Sequence, residues 1–140
     1  MKNRMFPGLV LLVAAMLGGC ASLEPRIYDV RAVSLPLSGT PARLDQIARA
    51  ILRAGTSLGW KMQRVGRHHI TGTFDVYRAQ AMVDVHFTRH YYAIRYRDSR
   101  NLHVIDGHIE TRYNTWVRSL SRQIKFEAAC IGRSQCRQAI

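Results

Sequence analysis

Hydrophobic side chains recur with helical spacing in two stretches of the chain. Over residues 41–58 they return every three or four positions, directly after Thr40, whose hydroxyl suits a helix N-cap, and before Gly59, which suits a helix end. A second stripe with the same spacing predicts a helix over residues 109–126. The apolar positions of the two stripes are Leu44, Ile47, Ala48, Ile51, Leu52, Leu58, Tyr113, Trp116, Val117, Leu120 and Ile124.

Between these stretches the pattern changes to the two-residue alternation of β-strands. It predicts four strands, over residues 61–65, 69–77, 81–87 and 91–97. Their short connections imply an antiparallel meander with one buried face. The side chains assigned to the buried face are Ile70, Gly72, Phe74, Val76, Ala81, Val83, Val85, Phe87, Tyr92, Ile94 and Tyr96. The predicted fold class is α+β, spanning residues 41–127: a helix, a four-stranded antiparallel meander and a helix, with both helices packed on one face of the sheet.

The segments on either side of this domain lack a helical period. Residues 20–40 are predicted to form a tether, in which the alternation of Tyr28, Val30 and Ala32 allows pairing as an edge strand. Residues 128–140 are predicted to form a C-terminal tail.

The first 19 residues have the organisation of a secretory signal peptide. Lys2 and Arg4 precede an apolar run, which ends in small residues. The tetrapeptide Leu17-Gly18-Gly19-Cys20 resembles a bacterial lipobox, which implies cleavage between Gly19 and Cys20 and attachment of lipid to the Cys20 thiol. One alternative is a transmembrane anchor, but that needs about 20 apolar residues, and this run is shorter and interrupted by proline and glycine. The other alternative is a conventional cleavage site at which Cys20 is incidental.

Lipidation would place the protein in the cell envelope. Ala21 stands where an aspartate tends to retain lipoproteins in the inner membrane of enteric-type bacteria. By that resemblance, the expected location is the inner leaflet of the outer membrane, facing the periplasm. Because several acyl chains hold far more firmly than one, the N-terminal lipid makes the membrane the first predicted partner.

Two cysteines remain once Cys20 carries lipid. Cys130 and Cys136 form an even pair in an oxidising compartment, which favours a disulfide. Their spacing differs from the C-x-x-C of redox-active motifs, so the predicted role is a structural link in the tail.

The charge of the chain is strongly positive, with 21 Lys and Arg against 9 Asp and Glu and a formal net charge of +12. Nearly all of the cations are arginines, whose guanidinium forks suit phosphate and carboxylate groups. An anionic envelope component is therefore the second predicted partner: lipid, lipopolysaccharide, peptidoglycan or an acidic protein. Nucleic acid fits the charge but not the location. The alternative is a solvated basic surface, because the basic residues are spread along the whole chain.

Candidate chemistry is sparse. The sequence contains none of the common hydrolase, metalloprotease or phosphate-loop motifs, so no enzyme and no cofactor are predicted. Asp84 and His86 share an outward strand face and could contact a small ligand. His103, Asp106 and His108 could converge around a turn, but their spacing matches no established zinc pattern, and no metal site is predicted.

Aromatic residues gather near the predicted sheet and the last helix. They can line a cleft for sugar or lipid, or they can fill the core, which is the preferred interpretation. These residues are Tyr91, Tyr92, Tyr96, Tyr113 and Trp116. Asn114 and Arg118 lie one helical turn apart and are expected to hydrogen-bond the loop at Asp98-Ser99 as a structural brace.

Several segments together resemble a family of small proteobacterial lipoproteins of uncharacterised function. Besides the lipobox-like tetrapeptide, the segments are Ala54-Gly55, Leu58-Gly59-Trp60, Tyr92-Ala93-Ile94-Arg95-Tyr96-Arg97-Asp98-Ser99, Asn101-Leu102, His108-Ile109 and Tyr113-Asn114-Thr115-Trp116-Val117-Arg118-Ser119-Leu120. This resemblance implies a fold and a location but no reaction.

The sequence thus predicts a non-enzymatic, lipid-anchored periplasmic lipoprotein that binds or scaffolds an anionic envelope component through an arginine-rich surface. The alternative is a periplasmic protein that binds a small ligand or a metal.

Overall fold

The computed structural model describes residues 24–38, 41–133 and 136, which form two helices and seven strands. The elements in chain order are β1 (Val30–Ser34), α1 (Leu44–Ser57), β2 (Lys61–Gly66), β3 (His69–Val76), β4 (Ala79–Phe87), β5 (Tyr91–Arg100), β6 (Val104–Ile105), β7 (His108–Ile109) and α2 (Thr111–Ala129). The α+β class expected from the sequence is confirmed. Among the described residues, neither helix is both long enough and apolar enough to cross a membrane.

The main sheet has five antiparallel strands in the order β1-β5-β4-β3-β2. The four predicted strands form its meander, but the predicted number is wrong because β1 adds a fifth strand beside β5. Val30 lies opposite Ile94, and a bulge between Val30 and Val33 interrupts the register. The edge-strand pairing that the alternation of Tyr28, Val30 and Ala32 allows is therefore present, with Val30 buried and Ala32 exposed within the bulge.

The core lies against one face of the sheet. Every second residue of β4 is buried, from Ala79 to Phe87, as the alternation predicts. These side chains share one hydrophobic cluster with residues of β3, β5 and both helices. The largest fully buried members are Tyr92, Tyr113, Phe87, Ile47, Ile51, Ile70, Ile94, Ile109, Leu120 and Ile124.

Helix α1 starts later than predicted and ends where predicted. Arg43, not Thr40, occupies the N-cap, and the Gln46 side chain accepts a hydrogen bond from the Arg43 N–H at 2.8 Å. Thr40 lies outside the described residues. At the other end Gly59 has φ +86, and the next N–H, that of Trp60, donates to the Gly55 carbonyl at 2.9 Å. This is a Schellman ending, for which glycine is the favoured residue.

The strands run between two ends of the domain. The ribbon end carries the β6–β7 ribbon and the β3–β4 turn, where the Asn101 side chain donates to the Arg78 carbonyl at 2.6 Å. The far end carries the β2–β3 turn, the β4–β5 turn and the start of α1. Since β4 has nine residues, the two ends lie about 30 Å apart at roughly 3.3 Å per residue.

Candidate anion-binding site

A cleft of about 550 Å³ opens at the far end of the sheet. Three separate segments meet there: the N-cap region of α1, the β2–β3 turn and the β4–β5 turn. The lining residues are Arg43, Leu44, Arg67, His68, Thr88, Arg89 and His90. A volume of this size falls within the roughly 300–1,000 Å³ typical of small-ligand sites.

The lining is cationic and contains no carboxylate. Arg43, Arg67 and Arg89 are exposed, and within the described part of the chain none of them lies within 4.0 Å of an acidic oxygen. Three like charges around one cleft repel one another, and the positive end of the α1 dipole adds to the same field. A bound anion would relieve this repulsion.

Arg64 fixes the β2–β3 turn against α1. Its guanidinium lies 2.9 Å from the Asp45 carboxylate, and it donates to the carbonyls of Gly66 at 3.2 Å and Arg67 at 3.0 Å. The hydrogen bond from Arg64 lowers the pKa of Asp45 below its usual value. Arg64 thus neutralises the nearest acid and holds the turn, which leaves the Arg67 side chain free for a ligand.

His68 ties the same turn to β4. Its Nδ1 lies 3.0 Å from the Phe87 carbonyl oxygen, and because a carbonyl only accepts, Nδ1 must be the donor. The Phe87 N–H donates back to the His68 carbonyl at 3.0 Å. This pair of bonds sets the orientation of the ring, so the other ring nitrogen, Nε2, is not used by the turn.

The β4–β5 turn is held by the Thr88 hydroxyl, which accepts from the N–H groups of His90 at 3.1 Å and Tyr91 at 3.0 Å. The His90 carbonyl accepts from the Leu35 N–H at 2.7 Å. The backbone around Arg89 is therefore fixed on both sides while its side chain reaches solvent. All three segments of the cleft present arginines on a preorganised frame, which lowers the entropy lost on binding.

This arrangement can bind and orient an anion. The guanidinium groups can form paired hydrogen bonds to phosphate or carboxylate oxygens. The partly buried side chain of Leu44 adds an apolar contact. The Thr88 hydroxyl, the one hydroxyl in the lining, already accepts two backbone hydrogen bonds.

A second polar cluster lies on the outward face of the sheet. Asp84 and His86 do not form an isolated pair, because Asp84 contacts side chains of the two neighbouring strands. It lies 2.7 Å from Nε2 of His69 on β3 and 3.6 Å from Nη1 of Arg97 on β5. The rings of His69 and His86 stack with centroids 4.5 Å apart. The cluster links three strands and is open to solvent.

The remaining candidate histidines do not meet as a metal site. His108 lies in β7, His103 directly precedes β6, and Asp106 lies in the turn between the two strands. Across residues 24–38, 41–133 and 136, no three His, Cys, Asp or Glu side chains come close enough to share a metal ion.

The aromatic residues mostly fill the core. Tyr92 and Tyr113 are buried, Tyr96 and Trp116 are half-buried, and Tyr91 is half exposed. The core interpretation therefore holds for four of the five.

The proposed brace by Asn114 and Arg118 exists but holds a different segment. Asn114 accepts from the Tyr28 N–H at 2.9 Å and donates to the Arg26 carbonyl at 2.8 Å. The Arg118 guanidinium stacks 4.5 Å from the centroid of the Tyr28 ring. The expectation of a bond to the loop at Asp98-Ser99 is wrong, because the N-terminal segment occupies that side of α2.

The cysteines of the tail lie together. Cys130 and Cys136 are at disulfide-bonding distance, with Cα atoms 5.6 Å apart, at the end of α2. The predicted cleavage site at Gly19 and the predicted lipidation site at Cys20 lie outside the described residues.

The sequence predicted a basic surface but not the cleft. Its three arginines come from segments more than twenty residues apart, so no local motif unites them. The available signal was weaker: Arg67 and Arg89 lie between predicted strands, and Arg43 lies near the start of the first predicted helix. Comparisons of the chain with protein-family models, curated proteins and solved structures found no match.

Proposed function

We propose that this protein is a non-enzymatic, lipid-anchored component of the cell envelope that binds an anionic group through the far-end cleft. The observation that carries the proposal is the convergence of Arg43, Arg67 and Arg89 on one cleft whose lining has no carboxylate. A cluster of this kind destabilises the empty protein by self-repulsion, so a ligand that neutralises it is the simplest reason for its presence.

The ligand class follows from the donors. Guanidinium forks match the oxygen spacing of phosphate and carboxylate, and hydrogen bonds between charged groups are roughly twice as strong as neutral ones. Phosphate has more oxygens and more charge than carboxylate, so it offers acceptors to more than one arginine. A phosphate-bearing envelope component is therefore preferred over a single carboxylate.

The location rests on the N-terminal sequence. The lipobox-like segment ending at Cys20 implies an acylated N-terminus, and an anchor with two or more chains holds a protein at a bilayer without a spanning helix. The Cys130–Cys136 pair supports an oxidising compartment such as the periplasm. We place the protein at the inner leaflet of the outer membrane, facing the periplasm.

The layer arrangement also supports a binding role. We infer that both helices cover one face of the sheet, because the buried side chains of β4 and of the two helices share one cluster. The opposite face, with its His69–Asp84–Arg97 cluster, is then free to contact a second component.

Binding of inorganic phosphate tests this proposal. The acylated full-length protein, purified in a neutral detergent, is titrated with phosphate by calorimetry at low ionic strength and again at rising sodium chloride. The test variant carries Arg43→Gln, Arg67→Gln and Arg89→Gln. The control variant carries Arg78→Gln, Arg100→Gln and Arg122→Gln, which removes the same charge from exposed positions outside the cleft lining.

We expect the test variant to lose at least about tenfold in phosphate affinity, because each charge-assisted hydrogen bond contributes roughly 1.5–3 kcal/mol. The control variant should keep most of the affinity, and added salt should weaken binding to the parent protein. An equal loss in both variants would show that diffuse charge, not the cleft, attracts the anion. Absence of phosphate binding by the parent protein would overturn the proposal.

A second candidate function is a periplasmic binding protein for a small soluble anion, favoured by the size of the cleft. It differs from the first only in whether the anion is free or carried by an envelope polymer or lipid. Competition between inorganic phosphate and isolated lipopolysaccharide or peptidoglycan fragments separates the two.

A further inference from the structure

The described chain begins at the ribbon end of the domain. Pro25 accepts a hydrogen bond from the Ile109 N–H at 2.9 Å, and the Ile27 N–H donates to the Gly107 carbonyl at 2.9 Å. Residues 25–27 therefore run antiparallel beside β7, with Arg26 opposite His108. At the usual strand spacing, they lie about 10 Å from the backbone of β6.

Side-chain contacts with α2 fix this segment to the rest of the domain. The Asn114 side chain binds the backbone on both sides of Ile27, at the Arg26 carbonyl and at the Tyr28 N–H. The guanidinium of Arg118 then covers the ring of Tyr28. The point at which the chain leaves the domain is thus fixed to the ribbon end.

The predicted lipid attachment is close to this point. Cys20 precedes Pro25 by five residues, which span at most about 18 Å even when fully extended. If acyl chains on Cys20 enter a bilayer, Pro25 must stay within that distance of the attachment point, and β6 can lie at most about 10 Å further away.

The ribbon carries apolar side chains in solvent. Val104 is 39% exposed and Ile105 is 60% exposed. Arg26 is exposed on the other side of β7 and can meet lipid phosphates, whereas Asp106 in the turn limits how deeply the ribbon can enter. This composition suits contact with the headgroup region of a bilayer.

We propose that the ribbon end of the domain contacts the bilayer that holds its lipid anchor, with Val104 and Ile105 in the headgroup region. The cationic cleft then opens about 30 Å away, toward the aqueous space. This inference rests on the lipid anchor of the proposed function. It excludes the headgroups of the anchoring leaflet as the ligand of the cleft. The ligand is then an anionic group, of phosphate or carboxylate chemistry, presented from the periplasmic side.

The orientation can be measured with variants of the acylated full-length protein that each carry one added cysteine, in vesicles of phosphatidylcholine and phosphatidylglycerol. Cys20 is blocked by lipid and Cys130 and Cys136 are paired, so an added cysteine is the thiol that a fluorophore labels. Ile105→Cys reports on the ribbon end. Val65→Cys is the matched control at the far end, since Val65 is also an exposed aliphatic residue, 50% exposed.

Brominated lipids are the quencher. We expect loss of fluorescence from the label at position 105 and none from the label at position 65. Equal quenching at both positions would mean that the domain lies flat, and quenching at 65 alone would mean that the cleft faces its own bilayer. Either result overturns the proposal.

A second measurement uses the cleft itself. Phosphate affinity of the vesicle-bound protein is compared between pure phosphatidylcholine vesicles and vesicles containing phosphatidylglycerol, at one ionic strength. At an ionic strength of about 0.15 M an unchanged affinity is expected, because the Debye length is then about 8 Å and the cleft lies about 30 Å from the ribbon end. A clear loss of affinity on the anionic vesicles would show that the cleft binds headgroups of the anchoring leaflet and would overturn the orientation.

Failure of the anchor and failure of the cleft remain distinguishable. A protein that takes up no fatty-acid probe at Cys20 has no lipid anchor, and that result overturns the orientation. Phosphate binding in detergent is then judged separately. A protein that is acylated and quenched at 105 but binds no phosphate supports the orientation and overturns the proposed function.

Discussion

Two buried tyrosines differ in whether the side-chain hydroxyl has a hydrogen-bond partner. Tyr92 is 1% exposed, and its hydroxyl lies 2.7 Å from the Ser121 hydroxyl and 3.1 Å from the Ser121 carbonyl. Tyr113 is fully buried, and its hydroxyl has no hydrogen-bond partner within the described residues. An unpartnered buried hydroxyl costs free energy, whereas a bonded one contributes to stability.

Replacing each tyrosine by phenylalanine should therefore give opposite results. We expect Tyr92→Phe to lower the free energy of unfolding by about 1 kcal/mol, because it removes a bonded hydroxyl and leaves Ser121 without its partner. We expect Tyr113→Phe to leave stability unchanged or to raise it. Urea denaturation of the two variants beside the parent protein measures both changes. A larger loss for Tyr113→Phe than for Tyr92→Phe would contradict the assignment of the bonds.

The same residues predict how stability changes in alkali. Burial raises the pKa of Tyr113 and of Tyr92 above the ordinary value of 10.0, so the folded protein retains protons that the unfolded chain releases. The free energy of unfolding should then fall as the pH rises above about 10. In Tyr113→Phe this fall should be shallower. Denaturation midpoints followed across the alkaline range would refute the prediction if the two curves stayed parallel.

At the scale of elements, α1, β2 and β3 pack through one methionine. The side chain of Met62 fills the space above two glycines, Gly55 of α1 and Gly72 of β3, where a Cβ atom would collide with it. The absence of a Cβ at both positions lets the helix approach the sheet. These glycines are therefore needed for packing, not for backbone conformation.

Gly72→Ala should be destabilising. The added Cβ would lie 2.9 Å from Met62 Sδ, 3.1 Å from Val83 Cγ2 and 3.3 Å from the Trp60 ring. Overpacking of this kind costs about 1–3 kcal/mol, which thermal or urea denaturation resolves.

Gly66→Ala is the control for this substitution. A Cβ at Gly66 of β2 would meet only the His69 Cβ, at an ordinary 3.6 Å. We expect a change within about 0.5 kcal/mol there. Equal losses at the two positions would show that the destabilisation does not come from packing around Met62.

At the scale of the whole molecule, the excess of positive charge acts on stability as well as on binding. The formal net charge is +12, and three unpaired arginines of the described chain surround one cleft. Net charge far from zero favours solubility but opposes the compact state through self-repulsion. The cleft brings three of these charges together, so self-repulsion acts there.

Neutralising the cleft should accordingly cost no stability. We expect the triple variant Arg43→Gln, Arg67→Gln, Arg89→Gln to unfold at a temperature equal to or higher than that of the parent protein at low ionic strength. The difference should shrink at high ionic strength, where charges are screened. Thermal denaturation at both ionic strengths checks this. A lower unfolding temperature for the variant would show that these arginines support the fold.

Local patterns predicted most of the fold. The alternation in β3, β4 and β5 placed Ile70, Val83 and Ile94 on the buried face, and the helical stripes placed α1 and α2 within a few residues of their observed bounds. The helix starts were less well predicted, because Gln46 and Arg43 form the cap of α1 by a side-chain contact that competes with Thr40-Pro41.

By itself, the sequence determined the class of fold, the order of the two helices and the four meander strands, the basic character and the likeness of residues 17–20 to a lipobox. These properties depend on residues that are close in sequence, and the spacing of those residues determines which side chains share a face. Tertiary structure alone decided that Asn114 holds the N-terminal segment and that Arg43, Arg67 and Arg89 surround one cleft. Each of these depends on contacts between residues far apart in the chain, and no local periodicity encodes such contacts.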